Sequence, residues 1–200
     1  MNTQLNPNVT FDLSTSSKPS IAFDLDETLI YSYSLPPKNS TITTFPIRIG
    51  RKRVYITTRP GLRQFLDKIE EIYEVFIFTS SLEEYANKVI DKIAPEIDHE
   101  HRLFRNSCTK TDGYHIKDLT HISRPLNKLI LVDDMSCSAQ SQVGNLIRIS
   151  PFMGDIEDQV LSKELFPALE ICSKAEDIRT VAFEVISTRN YPSLHMCVTH

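Results

Sequence analysis

Four short apolar runs punctuate the chain: Ile21-Ala22-Phe23, Val75-Phe76-Ile77-Phe78, Leu129-Ile130-Leu131-Val132 and Leu146-Ile147-Arg148-Ile149. They are strand-length, and the middle two carry no polar residue, the pattern of a parallel strand covered on both faces. Segments of helical spacing lie between and after them. Pro60 opens one, with Leu62, Phe65, Leu66 and Ile69 on one side. Residues 82–93 align Leu82, Tyr85, Ala86, Val89, Ile90 and Ile93 ahead of Pro95. Residues 156–173 align Leu161, Leu165, Leu169 and Ile171, with a kink expected at Pro167. Strands alternating with helices predict an α/β fold with an open, mostly parallel sheet. Residues 31–58 read differently: TITTFPIRIG and RKRVYITT are β-rich and meet at Gly50, which predicts a hairpin. This is a small β insertion between the first two strands of the sheet. HRLFR is a further short strand candidate.

At 200 residues the chain is one domain's worth of sequence. Residues 1–18 are rich in Asn, Ser and Thr and read as a flexible N-terminal tail, without the basic stretch and apolar core of a signal peptide. The domain is expected over 19–180, with 181–200 as a C-terminal tail. Net charge is −4, from 22 basic against 26 acidic residues, which argues against gripping a nucleic-acid backbone. No run approaches the roughly 18 apolar residues of a membrane span, so neither nucleic acid nor membrane is expected as a partner, and a monomer is expected. Cys108, Cys137, Cys172 and Cys197 form no CxxC, and a core of this size needs no staples. They read as reduced thiols in the nucleus or cytoplasm. His99 and His101 form an HxH in a polar loop, with no partner pair at zinc spacing. Arg51, Lys52 and Arg53 lie at the hairpin turn, either as a solvated turn or as a contact for an acidic or phosphorylated partner.

The chemistry lies where the strands stop. In open α/β sheets ligands bind beyond the carboxyl ends of the strands. Three runs end in Asp24/Asp26/Thr28, in Thr79 and in Asp133/Asp134, so these residues are expected to converge on one crevice. Four crowded carboxylates repel one another, and clustered oxygen ligands suit Mg²⁺. Lys117 is a candidate for offsetting further negative charge. Each residue also has a plain structural reading: Asp24, Asp26, Thr79 and Ser80 as helix caps, Asp133-Asp134 as a turn, Lys117 as a solvated lysine and Cys137 as a small filler.

FDLDETL, FTSSLEEYA, RLFRNSC, YHIKDL and LILVDDMS together resemble the haloacid dehalogenase-like phosphatase superfamily. Within it they are most similar to the FCP-homology branch, which includes the small C-terminal-domain phosphatases of RNA polymerase II. The resemblance runs from about residue 20 to about residue 180 and implies a small member consisting of the catalytic core. It implies Asp24 as nucleophile and Mg²⁺ ligand, and Asp26 as general acid/base whose backbone carbonyl also meets the metal. It implies that Thr28 positions Asp26, that Thr79 binds phosphoryl oxygens, and that Lys117 neutralises phosphate. Asp133 is implied as the acid beside that lysine, Asp134 as the second side-chain metal ligand, and Arg59, in TTRP, as an arginine near the substrate. Ser34 falls where the small phosphatases have an aromatic residue for a substrate proline, with Tyr31 and Tyr33 close by.

The residue types suit this reaction on general grounds. An anionic nucleophile meets an anionic phosphate ester only if cations offset the repulsion. A carboxylate nucleophile gives an aspartyl-phosphate and splits one displacement into two. A second carboxyl serves the leaving alkoxide and then the attacking water. The expected function is therefore a Mg²⁺-dependent phosphoserine or phosphothreonine phosphatase for a phosphoprotein or phosphopeptide, with the polymerase tail as one substrate. The alternatives are an idle family member acting as a binding module and a phosphatase of small metabolites.

Overall fold

The computed structural model describes residues 18–111 and 113–196. The expected tail at 1–18 lies, apart from Lys18, outside the described residues, as does Cys197. Its centre is a six-stranded sheet. β1 (Ser20–Phe23) lies in the middle, and the insertion follows as β2 (Ile30–Tyr33), β3 (Phe45–Ile49) and β4 (Lys52–Thr58). After α1 (Leu62–Ile72) come β5 (Glu74–Phe78), α2 (Glu83–Ile93) and β6 (Arg102–Leu103). A hairpin of β7 (Cys108–Thr111) and β8 (Tyr114–Lys117) precedes β9 (Leu129–Asp133) and β10 (Leu146–Ile149). α3 (Phe166–Cys172), α4 (Ile178–Thr188) and β11 (Leu194–Met196) complete the described chain.

The sheet order is β11-β10-β9-β1-β5-β6. All pairs are parallel except β10–β11. The apolar runs alternate between two cores. Ile21, Phe23, Val75, Ile77, Ile130 and Val132 face one side, with residues of all four helices. Ala22, Phe76, Phe78, Leu129 and Leu131 face the other, covered by Leu119, Ile122 and Ala139. Burial on both faces is why these strands show no polar alternation.

The insertion is an antiparallel sheet in the order β2-β4-β3, turning at Gly50 as expected. It is held to the domain by the loop after β10. There Gly154 adopts φ +86°, and a Cβ at this position would sit 2.0 Å from the Tyr33 hydroxyl. Only glycine permits both the backbone angle and the tyrosine's approach.

Two expectations are corrected. The helix read over 156–173 begins as a wide π-turn at Leu161–Leu165 before α3. Pro167 has no N–H to donate to the preceding turn, and the loosened turn accommodates it. The C-terminal tail placed at 181–200 is folded as far as Met196. α4 buries Ile178, Ala182, Val185 and Ile186, and β11 pairs with β10 through Ile149↔Leu194. No helix among the described residues is long and apolar enough to cross a membrane.

Candidate active site

β5, β1 and β9 are adjacent and parallel, so Thr79, Asp24 and Asp133-Asp134 emerge at one edge of the sheet. Asp24 still pairs with the strand, its N–H donating to the Val132 carbonyl at 2.9 Å. The chain then turns back on itself: Leu29 and Ile30 both donate to the Leu25 carbonyl, and Glu27 takes φ 59°. This turn brings Asp26 to the same edge as Asp24.

Lys117, at the end of β8, is buried and donates to Asp24 Oδ1 at 2.6 Å and to Asp133 Oδ2. The second oxygen of Asp133 accepts from the Met135 N–H at 2.8 Å. Oxygens of Asp24, Asp133 and Asp134 lie within 4.8 Å of one another. The cleft above them holds about 170 Å³ and is lined by Asp24, Ser80, Tyr114, Lys117 and Cys137.

The electrostatics follow from this crowding. Burial pushes the Asp24 carboxyl up to about 8; Lys117 opposes the rise, while Asp133 and Asp26 add to it. Burial, Asp133 and Glu27 raise Asp134 to about 6. Burial disfavours the Lys117 ammonium, but Asp133 and Asp24 outweigh it and hold its pKa above the ordinary value. One ammonium therefore faces three carboxylates, a donor set that fits a hard divalent cation. Both Asp133 oxygens are already engaged, which leaves Asp24 and Asp134 as the side chains able to ligate one.

Asp26 is held from α2 and the loop before it: Ser81 Oγ donates to Oδ2 at 2.6 Å and Tyr85 OH to Oδ1 at 2.5 Å. Burial and the neighbouring Asp26 keep the Tyr85 phenol protonated, its pKa raised. Thr79 is buried, and its hydroxyl accepts from the Ser81 N–H at 3.1 Å, keeping its own proton for an incoming oxygen.

Two residues expected at the site do other work. Thr28 does not hold Asp26; its hydroxyl is buried with no hydrogen-bond partner among the described residues. Arg59 is fully buried, with Nε and Nη2 on Asp158 at 3.0 and 2.8 Å and Nη1 on the Thr28 carbonyl at 3.1 Å. It fastens the loop 150–159 to the base of the insertion and has no donor facing the cleft. Arg105 Nε donates to the carbonyl of Ser80, a residue that lines the cleft, at 2.6 Å. Ser81, Tyr85 and Arg105 were missed, although all three sit inside motifs already singled out. The HxH belongs to no metal-ligand cluster among the described residues: the His101 ring lies tilted against Phe76 with centroids 4.3 Å apart and faces Glu74.

A family model described as NLI interacting factor-like phosphatase matches residues 19–179. CTD small phosphatase-like protein 2 of Dictyostelium discoideum is 38% identical over 167 residues, which is 82% of this chain and 29% of that protein. The human carboxy-terminal domain RNA polymerase II polypeptide A small phosphatase 1 is 32% identical over 168 residues, 83% of this chain and 64% of that one. The chain thus spans less than two thirds of the length of these relatives. Among solved structures, that of Fcp1, an essential RNA polymerase II CTD phosphatase, superposes with a TM-score of 0.58 at 25% identity, covering 86% of this chain and 54% of that one. The mostly parallel α/β sheet is thus the haloacid dehalogenase-like fold that the motifs implied, and the chain belongs to the NLI interacting factor-like phosphatase family.

Proposed function

We propose that this protein is a Mg²⁺-dependent phosphoserine or phosphothreonine phosphatase of phosphoproteins that works through an aspartyl-phosphate on Asp24. The observation that carries the reading is the Asp24 carboxylate, fixed through Oδ1 by Lys117 at 2.6 Å and opening on a cleft beside Asp133 and Asp134. Oδ2 of Asp24 attacks phosphorus as the ester P–O bond breaks. Asp26 acts as the general acid that gives a proton to the leaving alkoxide. Asp26 then takes a proton from water as that water attacks the aspartyl-phosphate, releasing inorganic phosphate and the Asp24 carboxylate. Thr79 and Lys117 supply hydrogen bonds to the phosphoryl oxygens, and Arg105 supplies positive charge at the mouth. Asp24, Asp134 and the Asp26 carbonyl would hold Mg²⁺, which when bound would supply the charge that lets two anions meet.

A protein substrate is favoured because no residue of the small insertion lines the cleft. The relatives' names make a phosphorylated polymerase tail the first peptide to test. Ser34 is exposed, while Tyr31 and Tyr33 stack edge-on with centroids 4.8 Å apart, so any apolar shelf for a proline is built differently here. Cys108, Cys137 and Cys172 are free thiols.

The test compares phosphopeptides with sugar phosphates in Mg²⁺, with Asp24→Asn as the blank. Turnover of phosphopeptides should vanish on chelation and in Asp24→Asn, and beryllium fluoride should inhibit. Hydrolysis of sugar phosphates alone would make it a metabolite phosphatase, and binding of phosphopeptides without turnover would make it an idle module.

A further inference from the structure

A second concavity lies away from the catalytic carboxylates. A groove of about 640 Å³ runs between β3 and α2, with Pro46 and Ile47 on its floor and Arg48, Lys88 and Lys92 along its sides. β3 is the edge strand of the insertion, and Lys88 Nζ donates to the Arg48 carbonyl at 2.8 Å, joining the two walls. Gly50 lies at one end, and the exposed Arg51, Lys52 and Arg53 continue from it around the hairpin turn.

The charge here runs against that of the molecule. The chain carries −4, yet Arg48, Lys88 and Lys92 line the groove and Arg51, Lys52 and Arg53 occupy the adjoining hairpin turn. Its two carboxylates are already engaged, Glu84 by Lys88 at 2.9 Å and Asp91 by Arg102 at 2.6 Å. Among the described residues, Arg48, Arg51, Lys52, Arg53 and Lys92 form no ion pair. A dense set of like charges raises the local potential and draws an anionic partner.

We propose that this groove is a docking site for an acidic, extended peptide segment of the substrate, outside the phosphorylated residue itself. The inference rests on the phosphoprotein reading above and extends it. The link to catalysis is α2: Tyr85 holds Asp26 at 2.5 Å, while Lys88 and Lys92 lie one and two turns further along the same face. Seven residues of helix span roughly 10 Å, which an extended peptide covers in about three to four residues. A substrate can therefore place its phosphate in the cleft and an Asp/Glu block in the groove, about three to six residues away along the chain. The apolar residues Pro46 and Ile47 between the cationic ones suit a peptide with interspersed aliphatic side chains better than the uniformly charged backbone of a nucleic acid.

The experiment uses one phosphoserine peptide with and without an Asp/Glu block at that spacing, on each side in turn. Wild type is compared with Arg48→Glu/Lys92→Glu and with Arg51→Ser/Lys52→Ser/Arg53→Ser. On one side, the acidic block should raise kcat/KM about tenfold at low salt and less as salt rises. Both variants should lose that gain while hydrolysing the plain peptide and p-nitrophenyl phosphate as wild type does. A second readout is independent of turnover: fluorescence anisotropy of an unphosphorylated acidic peptide on Asp24→Asn protein, with and without the groove substitutions. If no substrate is hydrolysed, the phosphatase reading fails and this binding still decides the groove. Equal kcat/KM for the two peptides, unchanged binding in the groove variants, or binding of anionic vesicles or oligonucleotides but not the peptide would overturn the proposal.

Discussion

The ammonium of Lys117 lies 2.6 Å from Oδ1 of Asp24, a residue 93 positions earlier in the chain, and both are buried. Replacing Lys117 by Met leaves Asp24 and Asp133 facing each other without a counter-charge. We expect a loss of about 3–5 kcal/mol in urea unfolding and no turnover. Asp24→Asn also abolishes turnover but relieves the same repulsion, so in metal-free buffer it should unfold at no lower urea concentration than wild type. Equal destabilisation by the two substitutions would contradict this electrostatic account.

The second prediction separates Tyr85 from Thr28. Tyr85→Phe removes a 2.5 Å bond to Asp26, whereas Thr28→Val removes a buried hydroxyl that has no partner. Tyr85→Phe should slow single-turnover release of the serine leaving group by about tenfold, and p-nitrophenol release by less. Thr28→Val should leave both rates, and stability, near wild type. A Thr28→Val protein as impaired as Tyr85→Phe would return the positioning role to the threonine.

Arg59 provides the third. Asp158→Ala strands a fully buried guanidinium, and we expect a cost of about 3 kcal/mol in thermal or urea unfolding. Because Arg59 faces Asp158 and the Thr28 carbonyl, KM for a small aryl phosphate should not move in the folded variant. A large KM change at unaltered stability is the contrary result.

A fourth prediction concerns acid stability. Burial opposes ionisation of Glu74, but hydrogen bonds from Arg124 and Ser20 outweigh it and hold the carboxyl below its ordinary 4.5. A depressed folded value means that the stabilisation is complete above the unfolded pKa and is lost as pH falls through the folded one. Wild type should exceed Glu74→Gln in stability near neutrality, and the gap should close below pH 4.5. A gap that stays constant into acid would remove this pair from the acid limb.

The strand ends were readable because a parallel strand covered on both faces must be apolar throughout, so the first polar residue marks where it leaves the sheet. Asp24, Thr79 and Asp133 all stand at such points. Arg59 was misplaced because its partner, Asp158, lies 99 residues away, and a single carboxylate in a loop leaves no periodic trace. The missed end of the domain has a different cause: Ile178, Ala182, Val185 and Ile186 do carry helical spacing and were passed over, and only the three-residue β11 is too short to show alternation. Ser81 and Tyr85 stood in a motif already singled out, but which hydroxyl meets which carboxylate depends on how α2 packs across the insertion.

The order of the sheet also constrains how the protein is made. β1 is flanked by β5 and by β9, and its second neighbour begins 109 residues after it. A nascent or refolding chain can join β1 to β5 early, but one edge of its central strand stays open until Leu129 arrives. Such long-range closure is slow and leaves that edge available to other chains. The same late strand brings Asp133 and Asp134, so the intermediate with the open edge has Asp24 without its partner acids. In this architecture the closing of the second edge of β1 and the completion of the catalytic cluster are one event, and refolding followed by activity should report the same slow phase as refolding followed by amide protection in β1.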